Sequence, residues 1–132
     1  MKTVQELLME KGPDVIVTGP ETTVREASKL MAEANVGSVI VRSGASILGI
    51  FTERDLLRRV VARGKDPESL TMQDVMSSPV KTCRLQDSLQ KCAQDLTDSH
   101  IRHLAVVEGG ALIGLVGLRD ILTSKAIETV LA

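Results

Sequence analysis

Apolar residues recur in two rhythms along the first half of the chain. Val24, Ala27, Leu30, Met31 and Ala34 fall at three- and four-residue spacing, which predicts one buried face of a helix. Thr22 or Thr23 caps that helix with Glu26 as the acidic partner, and Asn35-Val36-Gly37 ends it. Short apolar runs predict strands at Val15-Ile16-Val17, Ser38 to Val41 and Ile47 to Phe51, the last two joined into a hairpin through Ser43-Gly44. Ahead of them, Thr3 to about Glu10 reads as a short leading helix with Val4, Leu7 and Leu8 as its stripe, broken by Gly12-Pro13. A further helix opens at Glu53, carries Leu56, Leu57, Val60 and Val61, and ends near Arg63-Gly64. Lys65 to Glu68 is the linker.

The second half runs through the same order. It predicts a helix from about Thr71 to Met76, a strand at Val80 and a helix from Asp87 to about Asp98. A strand follows at His103 to Glu108, then a Gly109-Gly110 turn, a strand to Val116 and a last helix to about Val130. A constant offset of 65 residues pairs Val15 with Val80, Val41 with Val106, Gly49 with Gly114, Asp55 with Asp120 and Leu57 with Leu122. The leading segments, Thr3 to Leu8 and Thr71 to Met76, match at an offset of 68. The first copy therefore holds three extra residues around Lys11-Gly12-Pro13. A fixed internal period is the dominant architectural signal. It divides the chain into one repeat over 1–64, a linker over 65–70 and a second repeat over 71–132.

Composition narrows the function more than the fold. At 132 residues and 43% hydrophobic content, two half-domains sharing a core are expected rather than two independent domains. A net charge of −1 provides no basic footprint for nucleic acid or an anionic membrane. Phe51 is the only aromatic residue, which argues against base-stacking platforms. No apolar run approaches the roughly 20 residues of a membrane span, and the N-terminus does not read as a signal peptide, so a cytoplasmic protein is expected. Cys83 and Cys92 lack metal-ligand spacing and are expected to be buried thiols. His100 and His103 have no further Cys or His nearby, so no metal site is expected. No nucleophile–base pair stands out, and the chain is not expected to be an enzyme.

The candidate chemistry lies where strand meets helix. Gly49-Ile50-Phe51-Thr52-Glu53-Arg54-Asp55 closes a strand and opens a helix, and Gly114-Leu115-Val116-Gly117-Leu118-Arg119-Asp120 repeats it without the threonine. Thr52 and Asp55 have the spacing of a capping box. The same hydroxyl and carboxylate beside free helix-start amides also suit a ribose phosphate. Arg58-Arg59 reads as a solvated helix face.

These motifs, with Ser99-His100-Ile101-Arg102-His103-Leu104-Ala105-Val106-Val107-Glu108-Gly109-Gly110 ahead of the second hairpin, resemble the cystathionine-β-synthase (CBS) domain. The resemblance covers essentially the whole chain. It implies an α/β (α+β) fold of two β-α-β-β-α repeats packed about a pseudo-twofold axis as one Bateman module with two clefts. It further implies a regulatory sensor that binds an adenine nucleotide of the AMP, ADP or ATP type and signals to an unidentified effector protein. No obligatory cofactor is implied, and a flat homodimer is expected from the apolar helix faces. One cleft is expected to carry Thr52 and Asp55 from one repeat with Lys81, Ile101, Arg102 and His103 from the other. The second, with Ile16, Val36, Gly37, Ser38 and Asp120, is expected to be the weaker. Val80 is expected to wall the adenine beside Lys81. An NAD or S-adenosylmethionine sensor and a purely structural dimerisation module are the competing expectations.

Overall fold

The computed structural model describes residues 2–12 and 15–124. In chain order the elements are α1 (Val4–Lys11), β1 (Val17–Thr18), α2 (Val24–Ala34), β2 (Ser38–Ser43), β3 (Ser46–Thr52) and α3 (Glu53–Asp55). Helix α3 widens directly into a π-helical segment, Leu56–Val61. There follow α4 (Met72–Val75), β4 (Thr82–Cys83), α5 (Leu89–Ser99), β5 (His103–Glu108), β6 (Ala111–Gly117) and α6 (Leu118–Thr123).

Local chemistry sets the helix ends. Thr3, Thr23 and Ser88 each accept a hydrogen bond from the backbone amide three residues on, satisfying one orphan N–H of α1, α2 and α5. Asn35 and His100, one repeat apart, close α2 and α5 in the left-handed conformation, with φ of 56° and 55°. His100 is thus placed by backbone geometry at a helix end.

Each repeat forms its own three-stranded sheet. β1 runs parallel to β2 and β2 antiparallel to β3, while β4, β5 and β6 repeat that order. Even the irregularities match, with a register shift after Val41 in β2 and after its counterpart Val106 in β5. The first strand of each half starts two residues later than the apolar run predicts. Pairing to the neighbouring strand defines it: Val17 lies against Ile40 and Thr82 against Ala105, while Val15 and Val80 precede the ladder. The helix expected from Leu118 to Val130 stops at Thr123, and Ser124 is extended. The part expected beyond Ser124 lies outside the described residues.

The chain packs as two units that are cut differently from its repeats. One comprises residues 15–80, and the other residues 81–132 together with 1–14. Each leading helix therefore packs with the other repeat. Val4, Leu7 and Leu8 of α1 share a core with Cys83, Leu89, Cys92, Leu96, Leu104, Val106, Val116 and Ile121. Met72 and Val75 of α4 share one with Val24, Ala27, Met31, Val39, Val41, Phe51 and Val60. The exchange is fixed by backbone hydrogen bonds. Val4 and Gln5 donate to Asp87 and Leu85 in one unit, while Met72 and Gln73 donate to Thr22 and Pro20 in the other. Each such buried side chain contributes about 1.5–3 kcal/mol, ample to hold a short helix that propensity alone would not.

The repeated glycine of the motif explains itself here. A Cβ on Gly49 would lie 2.6 Å from Met76 Sδ and 2.8 Å from the Ser77 carbonyl oxygen. On Gly114 it would lie 3.0 Å from Leu8 Cδ1. Leu8 and Met76 occupy corresponding positions at the ends of the leading segments. Each glycine is the seat of an exchanged helix.

Candidate functional site

The strand-to-helix motif of the first repeat forms a complete capping box. The Thr52 hydroxyl accepts from the Asp55 amide at 3.2 Å, and Asp55 Oδ2 accepts from the Thr52 amide at 3.0 Å and the Thr52 hydroxyl at 3.1 Å. Two further groups reach the remaining oxygen. Ser77 Oγ donates to Asp55 Oδ1 at 2.9 Å, and Arg59 Nε lies 3.5 Å from it. The Asp55 side chain is only 9% exposed. Its lone pairs are largely committed inside the unit.

Arg59 is exposed, as its sequence position suggested, yet it is anchored as well. It donates to the carbonyls of Met76 at 3.0 Å and Val75 at 3.3 Å, bonding the final carbonyls of α4. Ser77 went unnoticed in the sequence, and Arg59 was read only as a surface charge, because their contacts follow from the helix exchange, which brings residues 75–77 onto the first motif. In hindsight the Arg four residues after Asp55 was the available signal.

The second motif is more open. Gly117 donates its amide to Asp120 Oδ2 at 2.8 Å, and Lys11 Nζ lies 3.5 Å from the same oxygen. The Asp120 side chain is 32% exposed. Lys11 is also held by the Leu115 carbonyl at 2.9 Å, so α1 brings a cation to this motif. Nearby, Glu10 accepts a 2.6 Å bond from the Ser124 hydroxyl.

The residues preceding the middle strands join the motif of their own repeat. His103 pairs with Gly117 across β5 and β6, and the Leu118 amide donates to the Arg102 carbonyl at 2.8 Å. A Cβ on Gly117 would come within 3.3 Å of both His103 Cδ2 and Asp120 Oδ2. Lys11, Arg102, His103 and Asp120 therefore belong to one neighbourhood, with Arg102 exposed and His103 half-buried. Lys81, exposed, and Ile101, half-buried, belong to the same unit.

In the other unit Ser38 pairs with Thr52, and the Glu53 amide donates to the Gly37 carbonyl at 3.0 Å. A Cβ on Gly37 would meet the Glu53 carboxylate at 3.4 Å. Val36 is exposed, Ile16 half-buried and Ser38 buried. An acid beside Gly37 disfavours a phosphate there, whereas Lys11 brings a cation to the second motif. Thus Thr52 and Asp55 come together in one unit, and Lys81, Ile101, Arg102, His103 and Asp120 belong to the other.

Among the described residues no group of three or more His, Cys, Asp or Glu is placed to hold a metal ion. No helix among them is long and apolar enough to cross a membrane. Cys83 and Cys92 are free and buried, and their thiols hydrogen-bond to one another. That bond, together with burial, pushes Cys83 far above the ordinary thiol range, and accepting it eases the first ionisation of Cys92.

Comparison with known proteins agrees with this geometry. The CBS domain family profile matches residues 4–62 and 72–126. The mitochondrial CBS domain-containing protein CBSX3 of Arabidopsis thaliana is 30% identical over 135 residues, covering 96% of this chain and 66% of that protein. An uncharacterized protein of Methanopyrus kandleri is 40% identical, over 83% of this chain and 57% of its own length. The chain thus spans somewhat less than two thirds of these two relatives. Among solved structures, a CBS-domain protein from Agrobacterium tumefaciens superposes with a TM-score of 0.86 at 30% identity, covering 92% of this chain and 97% of that one. A CBS domain protein from Pyrobaculum aerophilum, complexed with AMP, gives 0.83 at 28% identity, covering 98% and 97%. The chain is a member of the CBS-domain family, with one CBS repeat over residues 4–62 and a second over 72–126.

Proposed function

We propose that this chain is a regulatory module that binds an adenine nucleotide of the AMP, ADP or ATP type and passes that signal to a partner protein. The observation that carries the reading is the AMP complex of the Pyrobaculum aerophilum relative, which aligns over 98% of this chain. The residues assigned to the ligand are Thr52, Asp55, Lys81, Ile101, Arg102 and His103, with Ile16, Val36, Gly37, Ser38 and Asp120 as the second set. Ionised carboxylates accept from a ribose diol, and arginine and histidine donate to phosphate. Of the two carboxylates, Asp120 is the more available. It is 32% exposed against 9% for Asp55, and it has cations for neighbours. We therefore rank Asp120, with Arg102, His103 and Lys11, ahead of Asp55 for the tightest binding event.

Calorimetry with AMP, ADP, ATP, NAD and S-adenosylmethionine tests the reading. Saturable heat with at least one adenine nucleotide is expected. Absence of binding by all five at millimolar concentration would leave only the structural reading, a dimerisation module without ligand. We further propose a homodimer. Leu57, Val61 and Leu122 are 61%, 62% and 59% exposed, and Leu57 and Leu122 are repeat-equivalent. Val60 and Ile121, also candidates for such a face, are buried in their own units, and Ile127 and Val130 lie outside the described residues.

A further inference from the structure

A groove of about 300 Å³ opens within the unit of residues 15–80, lined by Arg59, Arg63, Lys65, Leu70, Asp74 and Val75. We propose that it binds a small phosphate monoester with a compact apolar body, at a place distinct from the motif residues assigned to the nucleotide. Arg59 there is ion-paired to Asp55, which leaves Arg63 and Lys65, and the one carboxylate of the lining is already engaged. Asp74 Oδ2 accepts from the Thr71 amide at 2.9 Å and the Thr71 hydroxyl at 3.1 Å. Arg63 and Lys65 are exposed and form no ion pair among the described residues. Val75 is buried and Leu70 half-buried, which gives the groove an apolar floor beneath its charged rim.

Cations commonly sit at a helix C-terminus to balance its dipole, and that use needs weighing. Here the terminal carbonyls are already bonded by backbone. The Leu57, Val60 and Val61 oxygens accept from the amides of Ala62, Lys65 and Gly64. Nor is the trio repeated in the sequence. The other repeat carries Ser124, Glu128 and Val130 where this one has Arg59, Arg63 and Lys65. At the 65-residue offset the trio is thus a feature of one copy's sequence only.

The chemistry selects the ligand class. The Arg63 guanidinium offers a planar fork to two oxygens, and the Lys65 ammonium can meet a third oxygen of a dianion. A carboxylate would use only part of that set. The size falls at the lower end of small-molecule pockets, and the Leu70–Val75 floor rewards an apolar group on the ester oxygen. Arg59 joins the groove to the first motif, because its Nε lies 3.5 Å from Asp55 Oδ1.

The test is a titration of the full chain with phenyl phosphate, followed by backbone amide NMR. Saturable shifts are expected at Arg63, Lys65, Leu70 and Val75. Arg63→Ala and Lys65→Ala should each weaken binding about tenfold while leaving the thermal midpoint unchanged, since both side chains are exposed. Inorganic phosphate and benzoate should each bind at least several-fold more weakly than phenyl phosphate. The proposal is overturned by the absence of saturation, by shifts confined to residues 52–55 and 102–120, by unchanged affinity in both variants, or by benzoate binding as tightly. Shifts confined to those motif residues would count for the nucleotide reading and against this one.

Discussion

Ser77 donates a 2.9 Å hydrogen bond to Oδ1 of Asp55, joining the residue that follows an exchanged helix to the carboxylate of the first motif. The counterpart of Ser77 at the 68-residue offset is Met9, and the counterpart of Arg59 at 65 is Ser124. Met9 has no side-chain donor to give Asp120, and the Ser124 hydroxyl donates to Glu10. That difference accounts for one buried carboxylate and one open one. Removing the donor leaves a buried charged oxygen short of a partner, which costs about 1.5–3 kcal/mol. Ser77→Ala should lower unfolding free energy by that amount in urea titration. Met9→Ala, at an exposed position, should change it little.

The seats of the leading helices make a second prediction. Gly49→Ala drives a Cβ against the Met76 sulfur and the Ser77 backbone oxygen, and backbone cannot swing aside. A loss of about 1–3 kcal/mol is expected, as for other overpacked sites. Gly114→Ala meets only a Leu8 methyl at 3.0 Å, which can rotate, and the loss should be smaller. Equal losses, or a larger one at Gly114, would contradict this account of the glycines.

How much of this was legible depends on the range of the interaction. Caps and turns are local, so Thr23, Asn35, Gly109 and Gly110 could be read directly from residue type. The paired copies of the motif announced the repeat. What the sequence hid was long-range: that Leu8 packs in the core of the second repeat and Met76 against the first. Without that exchange, the bonds that Ser77 gives Asp55 and that Arg59 gives the carbonyls of Val75 and Met76 cannot be foreseen. The first strands were misplaced for a related reason, since apolarity marks burial whereas the partner strand sets where pairing begins. The thiol pair was equally hidden, because nine residues of sequence say nothing about whether two sulfurs meet.

That pair gives a dependence on pH. Unfolded, both thiols ionise around 9.0. In the fold the hydrogen-bonded pair retains one proton that the unfolded chain releases, because Cys83 is raised far above that range. Above about 9 the native state then binds more protons than the unfolded one, so stability falls as pH rises past about 9. The chain contains no tyrosine, so no phenol titrates in the same interval. Urea unfolding at pH 7.5 and pH 10 should show this loss, and Cys83→Ala should reduce it. An identical alkaline loss in the variant would assign it to other groups.

Self-association is checked at Leu57. Replacing an exposed leucine with glutamate leaves the core intact but places a charge on the face offered to a second copy. Leu57→Glu should be monomeric by light scattering at a concentration where the parent chain is dimeric, with an unchanged circular dichroism spectrum. A parent chain that is itself monomeric at micromolar concentration would remove the homodimer.

The two motif carboxylates should separate stability from binding. Asp55 is buried under Thr52, Ser77 and Arg59, so Asp55→Ala should lower the thermal midpoint clearly, whatever it does to ligand. Asp120 has a partly exposed ion pair with Lys11, worth about 0–1 kcal/mol, and accepts the Gly117 amide, worth about 1 kcal/mol, so Asp120→Ala should lose less stability than Asp55→Ala. If a ribose diol is held by the open carboxylate, that same variant loses a hydrogen bond to a charged group. Nucleotide affinity should then fall roughly ten- to a hundred-fold. Arg102→Ala should cost a similar factor, because Arg102 is exposed, its carbonyl is bonded to the Leu118 amide of the second motif, and its loss leaves phosphate with fewer donors. Calorimetry beside thermal unfolding distinguishes the outcomes. Should Asp120→Ala bind nucleotide like the parent while Asp55→Ala loses it at a temperature where it remains folded, the committed hydrogen bonds of Asp55 must exchange on binding. The first motif would then be the tighter site.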